Sequence, residues 1–202
     1  EIVTHAIPLP KVKKINHKDV RLLFIGRYFH QKGGAETIKI FDNLTKKYDD
    51  VNATFVSSVP KEIKEKYCKN KKIKFYDLMT QKKVIDEIYP SADIFVYPGY
   101  SDSFGFMFVE ALSFGLPVVT VDGFARKEII QKNKNGFIVP RPKNIQFDSE
   151  SKSMSEMIKN LTKKTEILIE NSSLRKRMSL AGIKEVESGK FSIKRRNKKL
   201  RD

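Results

Sequence analysis

Cysteine is nearly missing: Cys68 is the only one in 202 residues. One thiol can build neither an internal disulfide framework nor a thiolate metal cage, so a reducing compartment is the expected setting. Histidine is almost as scarce. His5 and His17 fall in a stretch without periodicity and form no metal set, and His30 reads as a surface histidine. Long apolar runs are absent too, and nothing approaches the ~18 consecutive apolar residues that a membrane span requires. The opening EIVTHAIPLPKVKKI lacks the charged head, apolar core and small-residue cleavage site of a secretory signal. It begins at Glu1 rather than Met, which reads as a fragment of a longer chain. Neither an internal repeat nor a low-complexity tract is present.

What the chain has in excess is positive charge: 40 Lys and Arg against 24 Asp and Glu, a formal net charge of +16. Taken alone, that balance invites a nucleic-acid, anionic-membrane or phosphorylated-ligand reading. The cations are dispersed, however, as in KNKKIK at 69–74 and TKK at 162–164, with a run only in KRRNKKLR near the end. Spacing of this kind is expected of a solvated surface, so no nucleic-acid partner is expected. With 40% hydrophobic residues, the chain can bury the core of one ordinary domain.

Between residues 20 and 140 short apolar runs alternate with helical spacing, the signature of βαβ units and a parallel sheet. Strands are expected at 21–26, 53–58, 73–76, 93–98, 117–121 and 136–139, each buried on both faces. Helices are expected at 34–47, 61–67, 81–88, 106–114 and 126–132, with Gly115 and Pro117 stopping the fourth. The fold class is therefore α/β, a Rossmann-like doubly wound sheet of about six parallel strands. Residues 1–19, with Pro8 and Pro10, read as a linker, 20–150 as the Rossmann-like domain that carries the sheet, and 151–202 as two helices broken near 171–173 that pack on the same domain.

In an open α/β sheet ligands bind beyond the carboxyl ends of the strands where the strand order reverses, because two loops diverge there. In the order 3-2-1-4-5-6 these are the loops after the first and fourth strands, GRYFHQKGG and GYSDSFG. Arg27 offers a planar fork suited to phosphate oxygens and Lys32 a mobile point charge, while Gly33 and Gly34 let the backbone approach a ligand. The bland reading of this loop is a solvated turn with two ordinary cations. In SDSFGFMFVEA the amides of Phe104, Gly105 and Phe106 are expected at a helix start, where unpaired N–H groups and the helix dipole favour an anion. Asp102 and Glu110 bracket that turn, and carboxylates accept hydrogen bonds from sugar hydroxyls. Their bland readings are a turn or cap residue and a solvent-facing helix residue. The phenylalanines at 104, 106, 108 and 114 read as core and turn packing.

Taken together, the two loops resemble the C-terminal, donor-binding domain of the retaining GT-B glycosyltransferases of the group 1 type. Members carry a G-R-x4-K-G loop after the first strand, here Gly26, Arg27, Lys32 and Gly33. They also carry E-x7-E followed by A-x3-G-x-P-V-V, matched in DSFGFMFVEALSFGLPVV with Asp102 in place of the first Glu and Glu110 as the second. Glu128 and Gly136 continue the pattern, and GKFSIKRRNKKL resembles the closing helix. The resemblance implies one half of a GT-B fold that binds a UDP-, GDP- or ADP-sugar without metal or other cofactor. It implies Arg27 and Lys32 on the diphosphate, Asp102 on the hexose, Glu110 on the ribose, and backbone near Tyr76, Leu78 and Met79 at the base. Gly26, Gly33, Ser103, Phe104, Gly105 and Phe106 complete the donor pocket. An N-terminal acceptor-binding domain of the same polypeptide is implied as partner, without which the chain is expected to turn over little. A cytoplasmic location, with docking to an anionic inner membrane face, fits the relatives and the basic surface. The other readings are a nucleotide-sugar module without turnover and a basic nucleic-acid-binding protein. The pattern departs at Asp102, at Gly123-Phe124 where paired glycines are usual, and at SSVP (57–60) in place of a glycine turn.

Overall fold

The apolar runs pair into one six-stranded, all-parallel sheet in the order β3-β2-β1-β4-β5-β6. A computed structural model of the chain describes residues 5–101, 104–142, 145 and 152–201. The strands are β1 (Val20–Gly26), β2 (Val51–Ser57), β3 (Ile73–Tyr76), β4 (Ile94–Tyr97), β5 (Val118–Val121) and β6 (Gly136–Val139). Between them run α1 (Gly34–Lys47), α2 (Lys61–Tyr67), α3 (Gln81–Lys83), α4 (Phe106–Ser113) and α5 (Arg126–Ile129). The order reverses between β1 and β4, so right-handed crossovers place α1 and α4 on opposite faces of the sheet. This is the doubly wound α/β architecture that the alternating pattern predicts.

The core is built where the helical stripe meets the strands. Ile38, Phe41 and Leu44, at three-residue spacing on α1, and Ile40, four before Leu44, are fully buried with Phe24 and Phe55 of the sheet below. Phe24 and Phe55 stack at 4.4 Å, and Phe41 meets Phe55 edge-on at 6.2 Å. β4 and β5 are buried at every residue. The other strands correct the expectation of burial on both faces. Arg21, Asn52 and Thr54 are half-buried, and edge strand β3 buries only Ile73. The crossover that follows β3 covers this second face incompletely and leaves a groove of about 350 Å³ lined by Arg21, Thr54, Lys74, Tyr76 and Lys83.

Strand limits shift by at most two residues, and three helical segments differ further from the sequence reading. The expected helix at 81–88 is α-helical only through Lys83, then widens into a π turn at Val84–Ile88 and tightens into a 3₁₀ turn at Tyr89–Ser91. α5 ends at Ile129 instead of 132, because the Gln131 amide is taken by the Asn135 side chain at 2.9 Å. The tail makes three helices where two are expected: α6 (Lys152–Glu170), α7 (Ser172–Glu187) and α8 (Ile193–Lys199). Asn171 caps α7 by accepting from the Leu174 amide at 2.8 Å. α6 lies against α1 and against β4 to β6, and α7 packs on α4. Residues 5–19 run along the same body, tied by an Ile7–Ser192 bridge and by the Ile15 amide to the Pro90 carbonyl at 2.9 Å.

Candidate functional site

Two loops meet where the strand order reverses. Gly33 closes the β1 loop in a left-handed conformation (φ 75°), and a Cβ there would stand 2.7 Å from the Pro98 ring. Only glycine permits both the turn and the contact. The loops are then stitched by main chain: the Gly99 amide donates to the Lys32 carbonyl at 3.1 Å and the Tyr100 amide to the Gln31 carbonyl at 2.8 Å. The Lys32 ammonium donates to the Ser101 carbonyl. The cation of one loop thus reaches the other loop directly.

Gly26 ends β1 beneath this junction, its carbonyl accepting from the Ser57 hydroxyl at 2.6 Å, so the SSVP turn fastens β2 to β1 through its first serine. Arg27 is exposed and, among the described residues, engages in no ion pair, leaving its guanidinium available to an anion. His30 is half-buried, its ring edge-on to Phe29 at 4.9 Å.

On the second loop Gly105 (φ 88°) is the N-cap of α4, and the helix starts at Phe106. The helix starts at the expected residue, and Phe104 and Gly105 stand just ahead of it. The Phe106 and Met107 amides open the first turn, the Phe108 amide donates to the Gly105 carbonyl at 3.0 Å, and Phe104 precedes the helix. Phe108 and Phe114 belong to the core, whereas Phe104 and Phe106 gather with His5 at ring separations of 4.7 and 5.2 Å, with Phe106 45% exposed. Asp102, the expected hexose ligand, and Ser103, expected in the donor pocket, lie outside the described residues. Tyr76 ends β3 with its side chain in the groove of the open face, and Leu78 is exposed beyond it. Glu128 pairs on the surface with Lys190 at 3.3 Å.

Glu110 is not a solvent-facing helix residue. One carboxylate oxygen accepts from the Gln81 amide at 2.7 Å and the other from the Tyr89 hydroxyl at 3.0 Å. In a regular helix residues eight apart are offset by about 80°, and the widened turn between Gln81 and Tyr89 rotates the second back toward the first. Both can then reach one carboxylate. Tyr89 is buried, and desolvation followed by the nearby Glu110 charge holds its pKa well above the usual tyrosine value, so the hydroxyl stays a donor. Glu110 and Gln81 stand on the wall of a cleft of about 470 Å³, closed on its other side by residues 7–12. Among the described residues no three His, Cys, Asp or Glu side chains cluster as a metal site.

Sequence spacing does not single out Gln81, Tyr89, Arg126 or Arg141. The first two are connected to Glu110 by an irregular turn, and the arginines belong to segments that only the sheet order brings beside the β4 loop.

The sequence pattern of the family Glycosyl transferases group 1 matches residues 8–185, and the chain belongs to that family. An uncharacterized glycosyltransferase of Haemophilus influenzae is 27% identical over 175 residues, covering 85% of this chain and 45% of its own length. The chain thus spans less than half of that relative. Among solved structures, the C-terminal domain of the group 1 family protein LpcC from Francisella tularensis superposes with a TM-score of 0.68 at 24% identity, covering 91% of this chain and 89% of that one. The pneumococcal O-GlcNAc transferase GtfA, solved in complex with UDP and GlcNAc, superposes with a TM-score of 0.75 at 16% identity, covering all of this chain and 39% of its own. The fold is that of GT-B glycosyltransferases, and the match along most of the LpcC C-terminal domain is consistent with a C-terminal domain.

Proposed function

We propose that this chain binds the nucleotide diphosphate of a sugar donor in a retaining hexosyl transfer, the acceptor being held by an N-terminal domain of the same polypeptide. The observation that carries the reading is the stitching of the β1 and β4 loops at the point of strand-order reversal, with Arg27 and Lys32 on one loop and the start of α4 on the other. As the bond from the anomeric carbon to the diphosphate breaks, negative charge grows on the leaving nucleotide. Arg27 and Lys32 neutralise it from one side and the first-turn amides of α4 from the other. Lys32 exchanges the neutral Ser101 carbonyl for a charged phosphate oxygen when the donor arrives.

Glu110, preset by Gln81 and Tyr89, accepts from the ribose hydroxyls at the wall of the 470 Å³ cleft. The complex of GtfA with UDP and GlcNAc supports a nucleotide sugar as substrate. A cytoplasmic location, with docking at the inner membrane face, belongs to the same proposal.

Calorimetric titration of the chain with UDP, GDP, ADP and the matching monophosphates tests the reading. One base is preferred, and its diphosphate binds at least about 10-fold more tightly than its monophosphate. Arg27→Ala and Lys32→Ala each remove most of that difference. Diphosphate affinity equal to wild type in both variants would sink the assignment. Transfer itself is read in the full-length polypeptide, as acceptor-dependent release of nucleoside diphosphate.

A further inference from the structure

The β4 loop is held by its carbonyls. The Pro98 and Gly99 oxygens accept from Arg126 at 2.9 and 2.5 Å, the Tyr100 oxygen from Arg141 at 3.0 Å, and the Ser101 oxygen from Lys32. Four consecutive carbonyls are thus drawn to cationic side chains from three separate segments. Arg126 is 1% exposed and also donates to the Val121 carbonyl at 3.0 Å, so one guanidinium spans the ends of β4 and β5. Phe124 joins the two arginines: its ring lies 5.6 Å from the Arg126 guanidinium and 5.2 Å from that of Arg141. It does so from a left-handed backbone (φ 54°), a conformation that costs a phenylalanine energy and persists only where the surroundings impose it. In place of the paired glycines usual in the family, this chain puts an aromatic ring between two guanidinium groups.

A loop whose carbonyls all turn toward buried or flanking cations cannot rotate its peptides freely. Its amide side is thereby directed to the β1 loop, where Gly99 and Tyr100 donate to Lys32 and Gln31. We propose that Arg126 and Arg141, with Phe124 between them, are positioning residues of the donor site. They set the β4 loop so that Lys32 and the start of α4 face the same diphosphate, and neither touches the ligand. The proposal rests on the donor-binding reading above.

The test combines two readouts on the chain and its variants Arg126→Lys and Arg141→Met. Hydrogen exchange followed by mass spectrometry reads the loop without any ligand. Amides of residues 99–101 and 105–108 exchange at least about 10-fold faster in Arg126→Lys and Arg141→Met while β1 and β2 keep their protection. Calorimetry with UDP, or whichever nucleoside diphosphate the wild type prefers, shows about a 10-fold loss for the diphosphate and none for the monophosphate. Arg141 is exposed, so Arg141→Met folds with a Tm within about 2 °C of wild type and keeps the test decisive if Arg126→Lys is unstable. Unchanged loop exchange in Arg141→Met overturns the proposal, as does an equal loss for both nucleotides. Faster exchange in a chain whose wild type binds no nucleotide overturns it too, and in that case the donor-binding reading is what has failed.

Discussion

The two ends of the sheet use their charges differently. At the amino end cations meet carboxylates: Asp19 accepts from Arg21 at 2.8 Å and from Asn52 at 2.9 Å, while Asp93 pairs with Lys14 at 3.2 Å and accepts from the Arg21 amide at 2.9 Å. His17 sits between the two acids, 3.5 Å from one and 3.6 Å from the other. At the carboxyl end Lys32, Arg126 and Arg141 instead bond main-chain carbonyls, and Arg27 stands exposed. The first arrangement joins strand starts to the segment entering β1 and serves stability. The second fixes loop geometry at the place where an anion would bind, because a carbonyl orients a cation without cancelling its charge.

Removing the buried guanidinium separates the two ends most strongly. Arg126→Leu leaves three carbonyls without their donor and lowers stability by about 3–5 kcal/mol, read by urea denaturation. A loss under 1 kcal/mol would show that water replaces the guanidinium freely.

Gly33→Ala attacks the same end through the backbone. The left-handed turn and the 2.7 Å approach to Pro98 together cost about 2–3 kcal/mol, and the loops part. Stability equal to wild type would mean that the loop contact is dispensable.

The amino end responds to pH. The Arg21 hydrogen bond is the largest influence on Asp19, and its pKa is held at about 2, below the ordinary 3.8. The native state therefore binds the proton less readily than the unfolded chain. The stabilisation is complete above about pH 4 and is lost as pH falls toward 2. Solvent screens a pair this near the surface, so the effect is about 1 kcal/mol. Asp19→Asn flattens that part of the stability profile, and a profile unchanged by the substitution would mean that the Asp19–Arg21 pair does not stabilise the amino end.

An effect of similar size, read in binding instead of stability, is expected from Tyr89→Phe. Losing one donor to Glu110 weakens binding of the preferred nucleoside diphosphate by about 1 kcal/mol and narrows its advantage over the 2′-deoxy form. Titration of both nucleotides checks it, and an unaltered ratio would mean that Tyr89 does not orient the carboxylate.

Much of this molecule is legible along the chain because its periods are local. The runs that become β1 to β6 and the stripe of Ile38, Phe41 and Leu44 follow from alternation and spacing alone, and the glycine before α1 marks the loop that turns back on β4. The glycine-rich basic loop and the carboxylate eight residues after Asp102 likewise stand out in sequence.

Three features do not. The π turn that aligns Gln81 with Tyr89 has no residue signature, since apolar spacing is nearly the same for either kind of turn. The closing helix is signalled by GKFSIKRRNKKL, but the break at 189–192 that makes it a separate third tail helix has no clear signature in the spacing. The role of Arg126 depends on which strand lies beside which.

Residue type and spacing by themselves determined the α/β class, the strand count and the two loops that carry cations and helix-start amides. Only the folded chain decided that Lys32 reaches Ser101, that Glu110 is gripped from α3 and Tyr89, and that two arginines and a strained phenylalanine hold the β4 loop. The reason is physical: a hydrophobic period is set by neighbours in the chain, whereas a hydrogen bond between residues 27 positions apart exists only after β4 and β5 lie side by side.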